Sequence, residues 1–110
     1  MAREGIEERI EYLKRESLLD GISLIPSSAS DLLSFLRENS WIRRPLTSVS
    51  DDGCLRATWR GKVGESVIVE FHGNDRAGVY FHTPGITETY CCEVSDIVSL
   101  PYPLPYLKKR

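Results

Sequence analysis

Residues Gly53–Cys92 read GCLRATWRGKVGESVIVEFHGNDRAGVYFHTPGITETYCC. Apolar and polar residues alternate along the stretch, and glycine-containing breaks divide it into four runs, Gly53–Arg60, Glu65–His72, Gly78–Thr83 and Ile86–Cys92. A period of two marks strands that are buried on one face only. In the first run Leu55, Ala57 and Trp59 share a face, and Arg56, Thr58 and Arg60 share the other. In the second, Val67, Val69 and Phe71 oppose Ile68, Glu70 and His72. In the third, Val79 and Phe81 oppose Tyr80 and His82. The stretch predicts an antiparallel meander with one face to be covered and one polar face.

The breaks carry turn chemistry. Asp51-Asp52-Gly53 leads into the first run, Gly61-Lys62-Val63-Gly64 joins the first two, and Gly73-Asn74-Asp75-Arg76 joins the next pair. Pro84-Gly85 fits the central pair of a type II turn, with Pro presetting φ and Gly tolerating a positive φ. That turn pairs His82 with Thr87 and Gly78 with Cys91. For the Asn74-Asp75 connection an odd-length loop with a bulge is expected, placing Phe71 opposite Val79 and Glu70 opposite Tyr80. A plain two-residue loop would slip the pairing by one and turn an apolar set to the wrong face.

Outside the meander, residues 3–16 predict a helix. Ile6, Ile10 and Leu13 form a narrow apolar stripe among charged positions, suited to packing on the domain or to a dimer contact. Leu18–Ile25 reads as a turn at Asp20-Gly21 and a short extended segment. A second helix is expected over 28–39, with Ser28 and Asp31 resembling a capping box. Its Leu32, Leu33, Phe35 and Leu36 suit it to cover the sheet. Pro45 confines any strand before the meander to an edge, Leu46–Val49. After Cys92, Val94, Ile97, Val98 and Leu100 are apolar enough to close the core. Pro101, Pro103 and Pro105 then alternate with Tyr102, Leu104 and Tyr106, which favours polyproline II over helix. Tyr102 and Tyr106 are thus either partner-binding residues of an exposed tail or apolar anchors that fold it back.

At 110 residues the chain has the size of one domain, and 41% hydrophobic with 27% charged residues is ordinary for a globular protein. Net charge is −2, which gives no electrostatic case for nucleic acid as a partner. No apolar run approaches the ~20 residues needed to span a bilayer, and the charged start at Arg3, Glu4, Glu7, Glu8 and Arg9 does not read as a secretory signal. Three cysteines, an odd number, fit a reducing compartment, so a cytoplasmic protein is expected.

The polar face admits three chemistries. Glu70, His72, His82, Cys54 and Cys91 invite a metal reading, yet no Cys-x-x-Cys or His-x-x-x-His spacing accompanies them, so no metal or other cofactor is expected. Nucleophilic catalysis by a cysteine with His72 or His82 lacks any nucleophile or phosphate-loop motif. Recognition is the third. Arg56, Thr58, Arg60, Glu70, His72, Tyr80 and His82 would share one side, and arginine and aromatic side chains are frequent interface anchors.

The segment around residues 45–82 resembles small uncharacterised bacterial and mobile-element proteins, through Asp52-Gly53, Leu55, Trp59, Val67–Phe71 and Tyr80 within Val79–Phe81. The resemblance implies a fold and supplies no catalytic residues. The sequence therefore predicts an α+β domain over 1–100, with two N-terminal helices packed on one face of a four- to five-stranded antiparallel meander spanning 46–92. A Pro-rich tail with a basic tip occupies 101–110. The expected function is non-enzymatic protein binding through the polar face, as an inhibitor, immunity or accessory protein of a bacterium or phage. A second copy of the chain is an admissible partner. The alternative is a small hydrolase or nucleic-acid-binding enzyme using His72, His82 or a cysteine.

Overall fold

The computed structural model describes residues 2–100 and 107, the side chains of 2–4 excepted. Five strands form one antiparallel sheet in chain order: β1 (Leu46–Val49), β2 (Leu55–Arg60), β3 (Ser66–Gly73), β4 (Arg76–His82) and β5 (Thr87–Glu93). Two helices precede them, α1 (Ala2–Leu19) and α2 (Pro26–Glu38), and a 3₁₀ helix, Val94–Ser99, follows. The architecture is the α+β arrangement that the alternation implies. β1 is the short edge strand that Pro45 allows.

The alternation sorts the two faces as expected. Leu55, Ala57, Trp59, Val67, Val69, Phe71, Val79 and Phe81 are all buried. α2 lays Leu32 and Phe35 over them, with Leu33 and Leu36 partly buried at its flanks. The Phe35 and Phe71 rings meet tilted at 5.9 Å between centroids. Removing such a ring from a core costs about 3–5 kcal/mol. α1 adds Ile6 and Ile10, and the 3₁₀ helix adds Val94 and Ile97. Trp59 is buried with its polar edge satisfied, Nε1 donating to Arg43 O at 2.7 Å. Leu107 is fully buried in the same core, and its carbonyl accepts from Arg43 N at 2.8 Å. Tyr102 and Tyr106 lie outside the described residues. Among the described residues no helix is long and apolar enough to cross a membrane.

Local chemistry departs from expectation in four places. α1 runs one turn beyond residue 16, because Gly21 at φ 77° lets the chain reverse while Ile22 N donates to Ser17 O and Gly21 N to Leu18 O. α2 begins at Pro26 with Ile25 as its N-cap, and no side-chain cap bond forms. Pro supplies the first-turn geometry, so Ser28 lies inside the helix and the expected capping box is absent. The Pro84-Gly85 turn is not type II, since Gly85 is not among the glycines of positive φ. Thr83 closes it instead, Oγ1 accepting from Ile86 N at 3.1 Å and Gly85 N at 3.3 Å.

The fourth departure sets the register. The β3–β4 loop is the two-residue Asn74-Asp75 turn, with φ 54° and 65°, the mirror-image geometry that suits strand twist. The odd residue is absorbed by an irregularity between Phe71 and Gly73, where the pairing goes from Phe71↔Ala77 to Gly73↔Arg76. Parity is thereby preserved, but Phe71 faces Ala77 rather than Val79, and Glu70 faces Gly78 rather than Tyr80. His72 is the residue left over at this bulge. The turn is held from both sides, Asp75 N donating to Asp31 Oδ2 of α2 at 2.9 Å and Val94 N donating to Asp75 O at 3.0 Å.

Candidate functional site

The polar face is laid out in lateral rows by strand pairing. One row runs Ser48, Arg56, Glu70, Gly78, Cys91 from β1 to β5. The next runs Leu46, Thr58, Ile68, Tyr80, Thr89, and a third runs Arg60, Ser66, His82, Thr87. No described element covers these rows. Arg56, Arg60, His72, Tyr80 and His82 are exposed and Thr58 is half-buried. Leu46 is 61% exposed and Tyr80 38%, with Ile68 between them partly exposed, so the middle row is an apolar band inside a polar frame. Leu46 escapes strand-by-strand reading because its face is fixed only by pairing with Thr58. Parity alone puts Ile68 on this face, but its part in a band needs the register.

At one end of the face the strands gather Cys54, Glu70 and His72. Cys54 closes the β1–β2 turn: its N–H donates to Ser50 Oγ at 3.1 Å and its carbonyl accepts from Ser50 N at 2.8 Å. Gly53, at φ 86°, makes the reversal just before it, and a Cβ there would run into the Ser23 carbonyl oxygen. The Leu55↔Phe71 pairing then sets Cys54 beside His72, and the bulge fixes how His72 leaves β3. Cys54 Sγ is 3.8 Å from His72 Nδ1, and Glu70 Oε1 is 3.6 Å from that same nitrogen. Arg56 Nε donates to the other carboxylate oxygen of Glu70 at 2.6 Å. Gly78 is the floor: a Cβ there would lie 3.1 Å from His72 Nε2 and 3.2 Å from Tyr80 Oη.

Burial and charge define what these groups can do. Cys54 and Glu70 are buried, whereas the His72 side chain is 42% exposed. Burial pushes the Cys54 thiol pKa up, and the Glu70 charge pushes it further, against the opposing effects of Ser50 and Arg56. The hydrogen bond to Glu70 holds Arg56 more firmly protonated. A cysteine nucleophile needs a lowered pKa and a base oriented by a third group on its other nitrogen. Here thiol and carboxylate share one nitrogen and the pKa moves the other way, so the cluster is not arranged for nucleophilic attack.

Of the residues singled out by sequence, Arg56, Glu70 and His72 come together with Cys54, and Tyr80 reaches them over Gly78. Glu70 is the buried partner of Arg56 rather than an exposed contact. His82 lies elsewhere, opposite Ser66, with Nδ1 3.0 Å from Thr87 Oγ1. Six residues of β3 separate its row from His72, about 20 Å. Cys91 is exposed and Cys92 half-buried, on opposite faces as adjacent strand residues must be, and both are free thiols, as is Cys54. The Cys92 pKa is raised by burial and then by Asp96. Compared with known proteins, the chain matches no family model, no curated protein and no solved structure.

Proposed function

We propose that this chain is a non-enzymatic protein-binding module whose contact surface is the polar sheet face, acting in the cytoplasm as an inhibitor, immunity or accessory protein of a bacterium or phage. The observation that carries the reading is the row Leu46–Thr58–Ile68–Tyr80, in which Leu46 and Tyr80 are exposed and Thr58 and Ile68 partly so, framed by Arg56 and Arg60. Such a centre with a charged rim is the usual composition of a protein interface. It suits a partner that presents an apolar ridge flanked by carboxylates. The bacterial or phage setting rests on the resemblance of residues 45–82, and the cytoplasm on three free thiols.

The test is affinity capture with the wild-type chain against Arg60→Ala/Tyr80→Ala, both side chains being exposed and outside the core. Loss of a partner by the double variant at unchanged circular dichroism is the expected result. Equal recovery of every partner would reject the face as the contact surface.

A further inference from the structure

We propose that Cys54, Glu70 and His72 form a three-ligand site for a zinc-type divalent cation, with its fourth position left for a solvent molecule. The three ligand atoms lie within 4.8 Å of one another. Tetrahedral bonds of about 2.3 Å to sulfur and about 2.0–2.1 Å to nitrogen and oxygen set sulfur and nitrogen about 3.6 Å apart, and nitrogen and oxygen about 3.3 Å. The distances here are 3.8 Å and 3.6 Å, so those two edges close by about 0.2–0.3 Å.

The 3.8 Å between Cys54 Sγ and His72 Nδ1 is within the longer reach of a sulfur hydrogen bond, but that pairing leaves Glu70 Oε1 out. A separation of 3.6 Å between nitrogen and oxygen is too long for a hydrogen bond. One ring nitrogen also cannot serve a thiol and a carboxylate together. A cation between them satisfies all three groups.

The surroundings are those of a metal site. Arg56 holds Glu70 Oε2 and leaves Oε1 turned to the imidazole, which is how carboxylate ligands are commonly oriented. Gly78 leaves room for the far side of the ring, whose Nε2 shares that space with Tyr80 Oη. On binding, the Sγ–metal bond forms as the thiol proton leaves to solvent, giving two anionic ligands and one neutral ligand around a dication. A thiolate and an imidazole favour zinc, cobalt or copper over magnesium or calcium. Two ligands are buried and the third is exposed, so the ion has a path from the open face. The site does not depend on the protein-binding reading, since its ligands are separate from the Leu46–Tyr80 band.

The experiment is anaerobic titration of the reduced full chain with Co²⁺, read by absorbance. One equivalent should give tetrahedral visible bands and a thiolate-to-cobalt charge-transfer band, both abolished by Zn²⁺ and unaffected by Mg²⁺. Cys54→Ser should remove the charge-transfer band, and His72→Gln, at an exposed side chain that folding tolerates, should weaken binding by about ten-fold or more. Cys91→Ser should behave as wild type. Absence of the charge-transfer band at saturating Co²⁺ would overturn the proposal. So would a band that survives His72→Gln at full affinity, or one that vanishes with Cys91→Ser.

Discussion

Ser28 Oγ accepts from Leu55 N at 2.8 Å and donates to Phe71 O, so one hydroxyl ties α2 to two paired strands. Ser28 and Leu55 are fully buried, so Ser28→Ala removes the acceptor of a buried N–H and the donor to a buried carbonyl. Ser28→Ala should therefore cost about 1–3 kcal/mol in chemical denaturation, the cost of stranding a buried donor. A smaller loss would mean that the helix is held by its apolar face alone. Gly78 works by absence. Its φ is not in the left-handed region, so alanine suits the backbone, but the new Cβ would sit 3.1 Å from His72 Nε2 and 3.2 Å from Tyr80 Oη. Gly78→Ala should leave the fold intact by circular dichroism while weakening Co²⁺ binding. Unchanged binding would show that His72 and Tyr80 do not use the space.

At the scale of elements, the β3–β4 hairpin decides how the face is composed. Its Asn74-Asp75 turn holds a non-glycine residue at φ 65°, where glycine is preferred. Asp75→Gly keeps the N–H that Asp31 accepts and relieves the positive φ, so it should leave thermal stability unchanged or raised, by up to about 1 kcal/mol. A clear loss would mean that the Asp75 side chain supports the turn. The same hairpin shows what alternation can and cannot reveal. The faces of β2, β3 and β4 were legible, because Leu55–Trp59 and Val67–Phe71 alternate without a break. Pro45 limited β1 to its edge, and the Pro84-Gly85 loop correctly paired His82 with Thr87 and Gly78 with Cys91. The β3–β4 register was not legible, since a two-residue turn with a bulge and an odd loop preserve parity equally. The grouping of Cys54 with Glu70 and His72 was hidden for a related reason. It depends on pairing across β2 and β3, so no short spacing along the chain records it.

At the scale of the molecule, the sheet is closed on one side and, among the described residues, open on the other. α1, α2, the 3₁₀ helix and Leu107 all contribute to the core. The opposite face keeps an apolar band, two arginines and the Cys54–Glu70–His72 cluster in reach of solvent, with Glu70 lying beneath Arg56 and His72. Helical elements supply stability and the open face supplies chemistry, so variants on the two sides should separate folding from binding. The most direct measurement is chemical-shift mapping of the isotope-labelled chain on titration with a captured, purified partner. The account predicts that the largest perturbations fall on Thr58, Ile68, Tyr80 and Thr89 and their arginine neighbours, with α1 and α2 unmoved. Perturbations centred on the exposed side of α1, around Tyr12, Leu18 and Leu19, with the sheet face silent, would contradict it.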